Sequence, residues 1–137
     1  MNMKKLWTSY YGRPLPKGAV RVQISNSRPS WLDKLIEAKE LAPVWMKLAW
    51  AGQVEVDDPA WRAHYRDQLK HLDEQGVLKA IVEALPDGAF LCCYEKDAET
   101  CHRSELARFL MERGYAEVAE WQPEAQSQET AQLKLSL

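Results

Sequence analysis

A short apolar run in the second half of the chain constrains the fold more than any other feature. Residues 89–94 (Ala-Phe-Leu-Cys-Cys-Tyr) follow the breaker sequence Pro86-Asp87-Gly88, and a bounded run this short is typical of a buried β-strand. Charged residues come directly after it, and apolar residues then recur at helical spacing between Leu106 and Leu110. The sequence therefore predicts a central strand that leads through a polar connection into a helix, which Gly114 ends.

The rest of the chain alternates between strand and helix patterns. The strand patterns cover residues 6–11, 20–24 and 115–121, with a small extra strand or an extended loop at 53–58. The helix patterns begin at Ser30, Val44, Pro59 and Val77. This order predicts a three-layer, Rossmann-like α/β domain, in which a mainly parallel sheet of about four strands lies between helices.

The chain has 137 residues, which is long enough for one hydrophobic core and too short for two comfortable ones. We expect a single α/β domain over residues 1–121. Residues 122–133 are rich in Gln, Glu and Ser, and we predict that residues 122–137 form a polar, flexible tail. The last five residues alternate between apolar and polar, a pattern that would also suit an added strand at a sheet edge.

Composition excludes several classes of function. The formal net charge of −2 leaves no dominating basic face, so a nucleic-acid partner would need a local basic patch. No apolar run has the length of a signal peptide or of a membrane-spanning helix, and we therefore expect a cytoplasmic protein without a membrane partner. Three cysteines, an odd number, argue against a secreted disulfide framework. Because Cys92 and Cys93 are adjacent on a strand, their side chains should face opposite sides of the sheet.

The candidate site lies at the start of the helix that follows the central strand. Ligands of open α/β sheets bind beyond the carboxyl ends of the strands, where helix N-termini offer free N–H groups to an anion. With Thr100 as the N-cap, Cys101 is the first helical residue, and the helix dipole together with His102 and Arg103 favours its thiolate. These residue types permit a cysteine nucleophile at this position.

Three more polar residues belong to the predicted site. Glu95 and Lys96 follow the central strand, and Arg28 follows the second strand on a turn-forming segment. Two arginines beside a helix N-terminus favour a phosphate-bearing ligand, either a nucleotide or a nucleic acid. The catalytic candidates are therefore Glu95, Cys101 and His102, and the ligand-binding candidates are Arg28, Lys96 and Arg103.

A cofactor and a metal ion are not expected. The chain has no GxGxxG fingerprint and no P-loop, which removes the familiar routes to a dinucleotide or a nucleoside triphosphate. Cys93, Cys101 and His102 have side chains that suit zinc, but a Cys-x-x-Cys knuckle is absent and an adjacent Cys-His pair rarely points at one ion. A homo-oligomer is compatible with the sequence.

A non-enzymatic alternative treats the Cys-His-Arg element as a structural clasp, with Arg103 paired to Glu95 or Glu99. The protein would then bind nucleic acid or protein through its surface, for which a stripe of Arg62, Arg66 and Lys70 and six tryptophans are available. We expect this stripe to be a solvated helix face. We also expect five tryptophans to pack in the core and its rim: Trp7, Trp31, Trp45, Trp61 and Trp121.

These motifs resemble those of a known family. The run 91–97 (Leu-Cys-Cys-Tyr-Glu-Lys-Asp), followed by Cys101-His102-Arg103 and Leu106-Ala107, is similar to the signature of the domain of unknown function 488 (DUF488) family. The spacing of Trp61, Tyr65 and Leu69 and the sequence Leu41-Ala42-Pro43 also fit. The resemblance covers roughly Tyr10 to Trp121 and implies an α/β fold whose activity is not established. Where the family has an Asp-Val-Arg-like segment, this chain has Ser25-Asn26-Ser27-Arg28-Pro29, so Arg28 alone is carried over there.

Overall fold

The computed structural model describes residues 3–52 and 59–123. The extra strand or loop predicted at residues 53–58 lies outside the described residues, and so do residues 124–137 of the predicted tail. In the described part of the chain, no helix combines the length and the apolar character needed to cross a lipid bilayer.

The core of the fold is a five-stranded, fully parallel sheet, which confirms the predicted α/β architecture. Its strands are β1 (Lys4–Tyr10), β2 (Arg21–Gln23), β3 (Ile36–Glu37), β4 (Phe90–Cys93) and β5 (Ala116–Glu120). In space they lie in the order β3-β2-β4-β1-β5. The sheet has one strand more than predicted, because the two residues of β3 pair with the edge of β2.

Among the described residues, four α-helices connect the strands, and each lies where a helix was expected. They are α1 (Val44–Trp50), α2 (Trp61–Glu74), α3 (Val77–Ala84) and α4 (His102–Glu112). Gly76 separates α2 from α3 with a φ of 77°, a left-handed conformation that a residue without a Cβ adopts at little cost.

The helix predicted from Ser30 is wrong. Residues 30–35 form a turn and irregular backbone, and the chain then enters β3. A capping-box pattern reports only a local preference, whereas pairing of Ile36 and Glu37 with β2 satisfies backbone groups along a sheet edge. Trp31, which was expected in the core, is 63% exposed as a result.

The sheet divides the interior into two hydrophobic clusters. The larger cluster lies between the sheet and helices α2, α3 and α4, and it includes Cys93. The smaller one, on the opposite face, contains Cys92 and is covered by loop residues such as Leu15, Ala19 and Leu32. The two adjacent cysteines therefore face opposite sides of the sheet, as predicted from the alternation of side chains along a strand.

The direction of the strand connections reverses at one point in the sheet. The β1 to β2 connection passes β4 toward one edge, and the β4 to β5 connection passes β1 toward the other edge. Such a reversal between neighbouring strands opens a crevice at their carboxyl ends, which is the usual ligand site of open α/β sheets. Here the neighbours are β1 and β4, whose last residues, Tyr10 and Cys93, lie side by side.

An ionic cluster joins α2 to α4. Glu105, which is only 5% exposed, lies 2.8 Å from Arg62 Nη1, 3.2 Å from Arg66 Nη1 and 2.9 Å from Arg108 Nη1. The expected solvated face is confirmed in part: the side chains of Arg62 and Arg66 are 38% and 37% exposed, but both also pair with a carboxylate on the neighbouring helix. The sequence pattern identifies the two arginines on α2, but it does not identify Glu105 on α4 as their partner.

We predict that Glu105→Gln destabilises the protein by about 1–3 kcal/mol at pH 7, because three cations lose their shared anion. Burial alone would raise the pKa of Glu105, but hydrogen bonds from Arg62 and Arg66 and the charge of Arg108 lower it on balance. The carboxylate therefore contributes its stability above its unfolded pKa of about 4.3, and the contribution is lost as the pH falls through the lower folded pKa.

Urea unfolding of wild type and Glu105→Gln across pH 3–7 checks this prediction. The difference in the free energy of unfolding should be largest at pH 7 and should shrink below pH 4.5. Glu83→Gln, an exposed glutamate on α3, is the matched control and should change little. Equal stability of wild type and Glu105→Gln at pH 7 would contradict the prediction.

Candidate active site

A short 3-10 turn sets the approach to α4. Asp97 Oδ1 accepts the Glu99 N–H at 3.0 Å, and Thr100 Oγ1 donates to the Asp97 carbonyl at 3.1 Å. Thr100 therefore belongs to the turn (Ala98–Thr100), and the N-cap of α4 is Cys101, with extended φ and ψ of −112° and 146°. The prediction of Thr100 as the N-cap is wrong by one residue, because the turn delays the helix.

Three reactive side chains converge behind this turn. Cys93 Sγ, at the end of β4, lies within 4.8 Å of both Cys101 Sγ and a ring nitrogen of His102, and all three residues are buried. Cys101 and His102 are adjacent in sequence, yet both reach the cluster. The reason is the change of backbone conformation between them, from the extended N-cap to the first helical residue.

The tautomer of His102 follows from its partners. Its Nε2 lies 2.6 Å from the Ile24 carbonyl, which can only accept a hydrogen bond, so Nε2 carries a proton. Its Nδ1 lies 3.7 Å from Cys101 Sγ. In the neutral imidazole, Nδ1 is then the acceptor and faces the thiol. This geometry allows His102 to take the proton of Cys101.

The two buried thiols have opposite tendencies to ionise. The contact with Cys93 lowers the pKa of Cys101, and His102 lowers it further, while burial acts in the other direction. The pKa of Cys93 is raised by its hydrogen bond with Cys101 and by burial. The pair therefore favours one thiolate beside one thiol, with the charge on Cys101. In contrast, burial raises the pKa of Cys92 to about 12 on the other face of the sheet.

Arg103 has no exposed surface, and protein groups occupy its whole guanidinium. Its Nε lies 2.9 Å from Glu120 Oε1, and its Nη2 lies 3.0 Å from Glu120 Oε2, which makes a bidentate ion pair. Nη2 also donates to the Lys96 carbonyl at 3.1 Å, and Nη1 donates to the Glu95 carbonyl and to Cys93 Sγ, the latter at 3.1 Å. These contacts use all the N–H donors that an arginine side chain has.

Glu120 is the site residue that sequence reasoning missed. The clasp alternative paired Arg103 with Glu95 or Glu99, but the partner is this carboxylate at the end of β5, and Glu95 supplies its main-chain carbonyl. Thr8 Oγ1 also donates to Glu120 Oε1 at 2.7 Å. Burial lowers the pKa of Arg103, but Glu120 and the nearby sulfurs raise it on balance, so the cation persists. In the sequence, Glu120 could be recognised only as an acidic residue at the end of the last predicted strand.

The remaining predicted residues lie on exposed loops that follow β2 and β4. Arg28 on the loop after β2, and Glu95 and Lys96 on the loop after β4, have exposed side chains. Among residues 3–52 and 59–123, no hydrogen bond or ion pair joins these three side chains to the buried cluster. The structure thus brings Cys101, His102 and Arg103 together with Cys93, and it leaves the other three candidates facing solvent.

Two buried hydroxyl residues follow β1 and β2 and hydrogen-bond to each other. Tyr11, directly after β1, is buried, and its Oη lies 2.7 Å from Ser25 Oγ at the end of β2. The Tyr11 ring packs edge-on against Tyr94, with 4.9 Å between the ring centroids. Burial raises the pKa of Tyr11, so its hydroxyl keeps its proton and remains a hydrogen-bond donor.

Comparison with known proteins agrees with this arrangement of motifs. The sequence model of a family described as the active DUF488-N3 subclade matches residues 8–114, which is more than half of the chain. The chain belongs to the DUF488 family. No curated protein and no solved structure gives a significant match. The matched region of this DUF488 protein contains the Cys-His-Arg element, but it ends before Glu120, the partner of the arginine.

We predict that Glu120→Gln destabilises the protein by about 3 kcal/mol, because the buried guanidinium of Arg103 loses its only ionised partner among the described residues. Thermal and urea unfolding measure the loss. Glu117→Gln, an exposed glutamate on the same strand, is the control and should leave stability nearly unchanged. A Glu120→Gln variant as stable as the control would show that the ion pair does not hold the site together.

Proposed function

We propose that this DUF488 protein is an enzyme that acts on a phosphate-bearing ligand through the thiolate of Cys101. In this proposal, the Cys101 sulfur forms a bond to phosphorus while a phosphorus–oxygen bond to the leaving group breaks. His102 accepts the thiol proton beforehand and returns it to the leaving oxygen. Glu95, on the loop after β4, is the candidate for activating the water that releases the product.

The observation that carries the proposal is the arrangement of Cys101, His102 and the Ile24 carbonyl. The carbonyl holds the Nε2 proton of His102, so Nδ1 faces the thiol as a base. A nucleophile, its base and a group that orients the base form the constellation that activates cysteines in enzymes. The description of the matching subclade as active also favours chemistry over a purely structural role.

A phosphate group suits the position of this thiol. Cys101 is the N-cap of the 11-residue helix α4, whose first N–H groups and dipole attract an anion. The exposed cations Lys96 and Arg28 follow β4 and β2, which are neighbours in the sheet. We therefore propose these two side chains as the ligand-binding cations. Arg103 acts as a positioning residue, because its N–H donors are already used by protein groups.

One observation favours the clasp alternative. The saturated guanidinium of Arg103 links β5, the loop after β4 and α4 without needing a ligand. In that alternative, the protein is an interaction module for nucleic acid or protein, and its thiols have no substrate. The two functions differ in whether the Cys101 sulfur ever carries a covalent group.

The compartment and domain boundary belong to the same proposal. All three cysteines are free thiols, and a thiol nucleophile requires them to stay reduced, which a cytoplasmic setting provides. We further propose that residues 1–121 form the functional domain and that residues beyond it are not needed for the reaction.

We predict that Cys101 is a thiolate at neutral pH. An ordinary cysteine has a pKa of about 8.5, and a lowered pKa means that the thiolate persists as the pH falls below that value. The ultraviolet absorbance of the thiolate, titrated from pH 9 to pH 4, should show a step well below pH 8.5. The step should vanish in Cys101→Ser and remain in Cys92→Ser. No thiolate signal below pH 8 in the wild type would contradict the proposed nucleophile.

We predict that phosphate-bearing compounds raise the melting temperature and leave a covalent group on Cys101. A panel of nucleotides, sugar phosphates and short nucleic acids is screened by thermal shift, since a ligand selective for the folded state stabilises it. Hits should lose affinity in Lys96→Ala or Arg28→Ala, and mass spectrometry after rapid acid quenching should locate an adduct on Cys101. Lys79→Ala, on α3, is the matched charge control.

The same panel separates the two functions. Binding that depends on Lys96 or Arg28 without any adduct, in wild type and in Glu95→Gln, would support the interaction module. If no phosphate-bearing compound stabilises the protein, the proposed class of ligand is wrong.

A further inference from the structure

We propose that Cys93, Cys101 and His102 form a binding site for a soft divalent cation, zinc above all. This inference goes beyond the proposed thiol chemistry and does not depend on it. The donor atoms of these residues lie within 4.8 Å of one another, and all three residues are buried. Two sulfurs and one imidazole nitrogen suit zinc and disfavour magnesium and calcium, which prefer oxygen ligands.

The spacing of the Cys101 and His102 donor atoms matches the geometry of zinc. Typical bond lengths are about 2.3 Å to sulfur and about 2.0 Å to nitrogen, so a tetrahedral ion holds its sulfur and nitrogen ligands about 3.6 Å apart. The observed distance between Cys101 Sγ and His102 Nδ1 is 3.7 Å. These two residues could therefore ligate one ion with little movement of their side chains.

The second nitrogen of His102 makes the contact that supports a metal ligand. Imidazole ligands almost always donate their other N–H to a carbonyl, a carboxylate or water, which fixes the tautomer. His102 Nε2 lies 2.6 Å from the Ile24 carbonyl. Nδ1 is thereby left unprotonated on the side of Cys101 Sγ before any ion arrives.

The surrounding charges offset one another when zinc is bound. Arg103 Nη1 donates to Cys93 Sγ at 3.1 Å, and its charge opposes a second cation. However, Glu120 offsets the charge of Arg103 and also pairs with the partly exposed Arg13, and zinc offsets the charge of two thiolates. A thiolate bound to zinc keeps lone pairs that accept hydrogen bonds, so the contact with Arg103 can remain.

Within residues 3–52 and 59–123 this cluster supplies three protein ligands. The fourth position of a tetrahedral ion would then be taken by water or by a ligand from solution. Zinc also occupies the sulfur of Cys101, so the metal-bound form cannot use this sulfur as a free nucleophile. The zinc-bound and the thiol-reactive forms of the site exclude each other.

The test uses cobalt(II) as a spectroscopic probe and zinc as a competitor. The full chain is reduced, freed of metal with a chelator and titrated with cobalt under anaerobic conditions. We expect a sulfur-to-cobalt charge-transfer band that saturates at one ion per chain and disappears when zinc is added. Lowering the pH should weaken binding, because the ion displaces protons from thiols.

Three variants and one control make the test specific. Cys93→Ser, Cys101→Ser and His102→Gln should each lower zinc affinity by about 100-fold or more, as losing a ligand costs at least as much as losing its supporting contact. Cys92→Ser, one residue from Cys93 but on the other face of the sheet, should bind like the wild type. Circular dichroism of each apo variant shows whether it remains folded.

Two results would contradict the proposed metal site. One is the absence of a sulfur-to-cobalt band in the folded wild type. The other is binding that survives in folded Cys93→Ser and Cys101→Ser or that is lost in Cys92→Ser, which would assign it to another part of the chain. Either failure leaves the proposed function intact, because the thiolate titration needs no metal and gives its result equally with a chelator added.

Discussion

Burying the guanidinium of Arg103 is the constraint on which the site depends. Removing such a cation from water costs several kcal/mol, and the protein offsets this with the Glu120 carboxylate and two main-chain carbonyls after β4. These partners come from β5 and from the loop between β4 and α4. Because one side chain binds all of them, it fixes their relative positions and holds a cation against the sulfur of Cys93.

Helix α4 contributes a residue to each of two ionic contacts: the Arg103 ion pair with Glu120, and the Glu105 cluster with α2. Its first turn is anchored to the sheet through Arg103 and to α2 through Glu105, which pairs with Arg62 and Arg66. The N-terminus of this helix carries the Cys101 and His102 pair. A helix fixed at both places keeps the thiol, its base and the Ile24 carbonyl at constant distances, which proton transfer and metal binding both require.

Local patterns predicted the parts of the fold that depend on local forces. Strand β4 and helix α4 follow from a bounded apolar run and from helical spacing, and both are present. The helix at Ser30 was wrong because strand pairing with β2, a tertiary contact, overrode a capping preference. Likewise, the sequence pattern correctly placed Arg62 and Arg66 on one face of a helix. It did not reveal their partner Glu105, because Glu105 lies 43 and 39 residues away from them in sequence.

The sequence by itself determined the α/β class, the place of the Cys-His-Arg element between a strand and a helix, and membership of the DUF488 family. Only the tertiary structure decided which side chains meet there. Glu120 joins Arg103, Ile24 orients His102, and Cys93 approaches Cys101, because the parallel strands bring their carboxyl ends to the edge of the sheet where α4 begins. Periodicity records which face of an element is buried, whereas the pairing of buried polar groups depends on strand order, which no local pattern encodes.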